Sequence, residues 1–159
     1  MAVLQSLSKF KPVMQKLLRS QTSNRSLFRL SNVATNGSRK FHTNEQLCDI
    51  YEITDEQDFK KKVMRNSIPV IVNFHADWCE PCHSLKPLLE KIANENEGRL
   101  HLAEVLVDDH VDLLHAFEVE AIPAVLGIHR GIVTEKFVGL VSHKQVMEFV
   151  EKLLEKTEK

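Results

Sequence analysis

The sequence predicts an α/β domain with one central mixed sheet of about five strands, flanked by four helices. Three observations predict it. Short β-branched runs alternate with helical patterns along most of the chain, the order that parallel strands with crossover helices require. The last two strand-like runs, Ala124 to Ile128 and Ile132 to Val138, meet at Arg130-Gly131, which marks a hairpin. A two-cysteine motif, Cys79-Glu80-Pro81-Cys82, stands where the central strand run gives way to a helix.

The 159 residues are enough for one domain plus an extension. Apolar residues make up 43%, so a core can form, and no run reaches the ~18 apolar residues of a membrane span. Three cysteines do not make a disulfide-stapled secreted scaffold. Charge divides the chain in two. Residues 1–44 carry eight Lys or Arg and no acid, whereas the remainder carries 13 basic and 22 acidic residues.

Residues 1–43 are basic, acid-free and serine-rich, with Leu4, Leu7, Phe10, Met14, Leu17 and Leu18 near one helical face and Pro12 interrupting it. That composition describes a largely disordered mitochondrial transit peptide, removed between Arg29 and Thr43 and directing the chain to the matrix. A basic arm touching nucleic acid or anionic lipid is the alternative. The globular domain is expected over 44–159, with no nucleic-acid ligand and no stable membrane association.

Within it, Asp49 to Ile53 suits a short strand, and Thr54-Asp55-Glu56-Gln57 has capping-box spacing, opening a helix through Met64. Val70 to Ala76 is the central strand. The motif helix runs from Cys79 to Asn94, with Pro87 expected to kink it. His101 to Val107 forms the next strand, Val111 to Phe117 a short helix, and the hairpin follows. Ser142 to Gln145 again has capping-box spacing. Val146, Phe149, Val150, Leu153 and Leu154 then make one apolar stripe.

The motif places two thiols at the first turn of a helix, where unpaired N–H groups and the helix dipole favour negative charge. A cysteine there ionises more easily, and the thiolate is the nucleophile. Pro81 fits that turn, where its missing N–H costs little. Cys-x-x-Cys in this setting marks a dithiol/disulfide redox pair. Half of a zinc site is the competing reading, but Cys48 is the one further cysteine, so no second cysteine pair completes a ligand set. A buried, inert pair is another.

Trp78-Cys79-Glu80-Pro81-Cys82, Ala121-Ile122-Pro123-Ala124-Val125 and Lys136-Phe137-Val138-Gly139 together resemble the thioredoxin family, over about residues 47 to 155. The resemblance implies the thioredoxin fold and a monomeric protein-disulfide reductase with no bound cofactor. Electrons would come from NADPH through a flavoprotein thioredoxin reductase, and peroxiredoxins would be clients. Carried over by position, Cys79 attacks the client disulfide and Cys82 resolves the mixed disulfide from a deeper place. Pro123 matches the family's cis-proline. Trp78, Ile122, Pro123 and Gly139 match its docking rim, although Gly139 also suits an ordinary strand-end turn.

Four positions depart from the family pattern. Glu80 replaces a common glycine and His83 a common Lys or Arg. The central strand has Asn73 where the family carries a buried aspartate, and the next strand has Glu104 where it carries lysine. Alternation puts Leu102, Glu104 and Leu106 on one face of a strand covered on both sides. Two readings follow: Glu104 supplies the missing proton acceptor with a pKa raised by burial, or it only hydrogen-bonds to Asn73 or reaches solvent. His75 lies on the Asn73 face, suited to handling protons or to filling the place of a larger aromatic. Cys48 suits a small buried residue or an oxidisable thiol. Two other functions share these features: an adaptor with idle thiols, and a metal cluster held between two chains.

Glu80 sits one residue from Cys79 and disfavours its thiolate. Glu80→Gly should therefore lower the Cys79 pKa, measured from thiolate absorbance against pH; an unchanged or raised value refutes this.

Overall fold

Residues 50–157 are described by the structure, a computed structural model. The amino-terminal segment, Cys48 and Asp49 lie outside the described residues. Among those described, the order is β1 (Ile50–Glu52), α1 (Glu56–Phe59, continued by a π-helical stretch at Lys60–Met64), β2 (Val70–His75), α2 (Glu80–Glu95), β3 (His101–Leu106), α3 (Val111–Ala116), β4 (Ala124–His129), β5 (Ile132–Val138) and α4 (His143–Glu155). The sheet order is β1-β3-β2-β4-β5. β1, β3 and β2 run parallel; β4 is antiparallel to β2, and β5 to β4. The mixed sheet and the element order are those expected.

Each strand buried on both sides needs two covers. On one face Ile71, Leu102 and Val125 pack with Leu85, Leu89 and Ile92 of α2 and with Val146, Phe149, Val150 and Leu153 of α4. On the other, Phe117 after α3 meets Phe59 of α1 at 5.3 Å and Phe74 of β2 at 6.3 Å between ring centres. Helices therefore lie on both faces of one sheet.

The start of α1 differs from expectation. Asp55, not Thr54, is the N-cap: its backbone is extended and its Oδ1 accepts from the Asp58 N–H at 2.8 Å. Asp58 reciprocates, its Oδ2 accepting from the Thr54 N–H at 3.3 Å and from Lys62 Nζ at 2.8 Å. A carboxylate outranks a threonine hydroxyl as a cap, so the box moves along by one residue. The Arg65 N–H then donates to Lys60 O at 3.1 Å, the wider π spacing. Phe59, Val63 and Met64 all stay buried through this change.

At α4 the expected box forms: Ser142 Oγ accepts from the Gln145 N–H at 3.4 Å, and Gln145 Oε1 accepts from the Ser142 N–H at 3.0 Å. The hairpin turn uses Arg130 and Gly131, with φ of 49° and 76°, the left-handed pair that matches the twist of the strands it joins. α4 also lies close over β4. A Cβ added at Gly127 would stand 3.1 Å from both terminal methyls of Leu153 and 3.3 Å from Phe149 Cζ. Bare backbone is thus part of the packing.

Gly127→Val should destabilise the fold by ~1–3 kcal/mol, the usual cost of overfilling a tight core. Urea unfolding checks this, and an unchanged midpoint would show that α4 has room to yield.

Candidate active site

β2 delivers the chain to the site. After His75 the backbone turns through Ala76, whose carbonyl accepts from the Cys79 N–H at 3.2 Å. Cys79 is the N-cap of α2, in extended conformation, and its Sγ accepts from the Cys82 N–H at 3.3 Å. A sulfur thus fills the role that a serine or aspartate oxygen usually fills, satisfying one of the orphan donors of the helix start. Pro81 occupies the first turn. The two cysteines are joined as a disulfide, with S–S 2.01 Å and Cα–Cα 5.3 Å. Cys82 is 2% exposed and Cys79 4%, so the expected difference in depth is small in this state.

Glu80 and His83 are both exposed. His83 Nε2 lies 2.9 Å from Asp77 O, tying its ring to the strand–helix turn. Pro87 lies inside α2 and has no N–H for the His83 carbonyl one turn earlier.

The rim assembles at the same end of the sheet. Ala124 pairs with Phe74 on β2 and with Val138 on β5, so the Pro123 loop and Gly139 both border the carboxyl end of the central strand. The Ile122–Pro123 peptide is cis, and Pro123 O accepts from the Gly139 N–H at 2.7 Å. Gly139 has φ of 85°, a region that a side chain resists, although space around its Cα is open. Ile122 is half-buried and Pro123 buried. Trp78 is 70% exposed, with Leu140 at 60% and Val138 at 46% beside Gly139 in the chain.

Asp108 escaped the sequence reading. Its Oδ2 accepts from the Trp78 indole Nε1–H at 3.2 Å, fixing the edge of an otherwise open ring. Only the parallel register of β2 and β3, which brings their carboxyl ends out together, could have pointed to it.

Beneath α2 two of the four departures from the family pattern meet. Asn73 and Glu104 are register partners on β2 and β3, 0% and 2% exposed. Glu104 Oε2 has three polar neighbours: it accepts from Asn73 Nδ2 at 3.1 Å, His75 Nε2 stands 3.2 Å away, and Lys86 Nζ of α2 is at ion-pair distance, 3.7 Å. Glu104 Oε1 and Asn73 Oδ1 have no partner, an arrangement that costs about 1–3 kcal/mol for each buried acceptor. Burial holds the Glu104 carboxyl above the ordinary carboxylate range, against the pull of Lys86 and the Asn73 hydrogen bond. Burial likewise pushes His75 down, assisted by Lys86 and opposed by Asp77 and Glu52. His75 and Glu104 stand at ion-pair distance, yet both are pushed toward their uncharged forms. Desolvation outweighs their mutual attraction. Lys86 was also missed. It lies four residues after Cys82, on the same helix face, which was the available signal.

A dithiol at a helix start, beside a cis-proline loop on a mixed sheet covered on both faces, defines a thiol–disulfide oxidoreductase. The thioredoxin family model matches residues 50–152. Mitochondrial thioredoxin of Rattus norvegicus is 41% identical over 117 residues, covering 74% of this chain and 70% of the relative. That of Bos taurus is 38% identical over 122 residues, covering 77% and 74%. The probable thioredoxin-2 of Caenorhabditis elegans is 36% identical over 107 residues, covering 67% and 74%. The chain belongs to the thioredoxin family of protein-disulfide reductases.

A carboxyl that binds its proton more tightly folded than unfolded stabilises the fold at low pH. It gives that stability up as the pH rises from its ordinary value of 4.5 through its raised one. Glu104→Gln removes this dependence. Its stability relative to wild type should therefore improve as the pH climbs through that window, measured by urea unfolding. A pH-independent difference would mean that Glu104 titrates as it does unfolded.

Proposed function

We propose that this protein reduces client disulfides in the mitochondrial matrix. In this reading it works as a monomer and is itself reduced by an NADPH-dependent flavoprotein thioredoxin reductase. Peroxiredoxins are suitable clients. The observation that carries this reading is a Cys79 sulfur already held against the N–H of Cys82 at the start of α2. The mitochondrial assignment draws support from the acid-free basic composition of residues 1–43 and from the names of the rat and bovine relatives. On this reading residues 1–43 are the removable transit segment and 44–159 the working domain.

In the reduced protein the Cys79 thiolate attacks one sulfur of the client disulfide and expels the other as a thiolate, leaving a mixed disulfide. Cys82 then loses its proton and attacks Cys79, releasing the second client sulfur. Two electrons have passed to the client, and the Cys79–Cys82 bond has formed. Trp78, Ile122, Pro123 and Gly139 form the ledge on which an extended client segment lies. Glu104 takes the Cys82 proton. Asn73, with an amide that cannot accept it, holds the carboxylate in place through Nδ2. Cys82 and Lys86 share one face of α2, and Lys86 reaches Glu104, which sets the acid beneath the resolving thiol.

Insulin reduction coupled to a thioredoxin reductase and NADPH tests this. Cys79→Ser should abolish NADPH consumption, whereas Cys82→Ser should still attack and should accumulate the mixed disulfide. Wild-type turnover by Cys79→Ser, or no turnover by the unmodified protein, would refute the reading, the latter in favour of an adaptor.

A further inference from the structure

A proton taken into a buried carboxyl must leave again, or the next cycle finds no acceptor. A polar route leads outward from Glu104. A notch of about 240 Å³ is lined by Glu52, Ile53, His75, Asp77, Glu104, Leu106 and Asp109, so it runs from the buried acid to charged surface groups. His75 stands between the two. Its Nε2 is 3.2 Å from Glu104 Oε2, and its side chain is 16% exposed against 2% for Glu104. An imidazole joins a buried donor to solvent through its two distinct nitrogens, accepting at one and releasing from the other.

We propose that His75 is the exit port of the proton cycle: it receives the proton from Glu104 at Nε2 and releases one from Nδ1 into the notch. The inference rests on the preceding assignment of Glu104 as acceptor. The balance is closed. Cys82–SH loses H⁺ to the Glu104 carboxylate as the Cys79–Cys82 bond forms and the client thiolate departs. Glu104 passes H⁺ to His75 Nε2, and the ring loses H⁺ from Nδ1 to water. Proton exchange with water in the notch returns the ring to its Nδ1–H tautomer, so the carboxylate and the accepting Nε2 are both regenerated with no further oxidant or reductant.

The surroundings favour transfer over storage. Lys86 faces Glu104 from α2, opposing an added positive charge on the ring, with Glu90 further along the same helix. Asp77 and Glu52 attract charge toward the notch side. Asn73, on the remaining flank, is neutral and already donates to Oε2. Burial disfavours a lasting imidazolium, so the ring serves as a conduit.

His75→Gln is the informative variant, because its amide keeps a hydrogen-bonding group where Nε2 stands but relays no proton. Acid-quenched single turnovers of the full chain with a small aromatic disulfide, from pH 5.5 to 9, separate formation of the mixed disulfide from its resolution. The expected result is an unchanged first step and a second step slowed roughly tenfold near neutral pH, below the usual range for direct proton transfer because bulk water substitutes in part. Added imidazole should restore it. Glu104→Gln should slow the same step without imidazole rescue. If His75→Gln resolves at the wild-type rate and pH profile while Glu104→Gln is slow, the exit port falls and the acceptor stands. If Glu104→Gln is also at the wild-type rate, both fall. A slow His75→Gln that imidazole leaves slow would make His75 merely structural and would overturn the inference. Carbon NMR of the reduced wild type provides a check independent of variants. His75 and Glu104 signals should share the same macroscopic titration steps; two independent single-site curves would refute the coupling.

Discussion

The site depends on one substitution of atoms at a helix start: a sulfur stands where an oxygen cap ordinarily stands. Cys79 Sγ accepts from the Cys82 N–H while the backbone of Cys79 remains extended, so the cap and the reactive atom are one. The donor that stabilises a helix terminus is then the donor that stabilises a thiolate. Everything upstream serves to hold that terminus still. β2 is buried along nearly its whole length, hydrogen-bonded on both edges, and ends one short turn before the cap. Downstream, Leu85, Leu89 and Ile92 seat α2 on the sheet, so the first turn has little freedom to drift.

Burying polar groups beneath such a helix is costly, which makes the arrangement of Asn73, Glu104, His75 and Lys86 informative. A fully satisfied ion pair would spread donors over both carboxylate oxygens. Here three polar groups crowd around Oε2 and leave Oε1 bare. A neutral carboxyl costs less to bury in such a place than a charged one, in keeping with the upward direction of the Glu104 pKa. The carboxyl is thus held by a single hydrogen bond and two neighbours at ion-pair distance, all on one oxygen.

Much of this was legible beforehand. Alternation put Asn73 and His75 on one face of β2, the family resemblance put Glu104 beside Asn73 on the next strand, and their side chains do meet. Helix and strand order followed from β-branched runs and capping spacings because those signals are local. What escaped was non-local or finely balanced. The α1 cap moved from Thr54 to Asp55 because two neighbouring residues can both cap and energies of a few tenths of a kcal/mol choose between them. The π stretch after Phe59 has no sequence signature. Asp108 acts on Trp78 across 30 residues of chain, through a strand register that no short motif encodes.

Glutamate at 104 also answers a geometric question that the family comparison raises. Adjacent strands lie about 4.8 Å apart, so an acid on β3 starts one strand away from the line joining β2 to the cysteines. Aspartate there would leave its carboxylate over β3. Glutamate has one more methylene, and its Oε2 reaches the amide of Asn73 on β2 at 3.1 Å. Moving the acid from β2 to β3 therefore demands the longer side chain, and an amide at 73 gives that chain a donor in place of a second acid that would repel it. The cation follows the same logic. With no lysine on β3, positive charge is supplied from α2 by Lys86, partly exposed and at ion-pair distance, 3.7 Å, where it pulls the acid's pKa down against burial. Chain length, not charge alone, is what lets an acid on β3 meet an amide on β2.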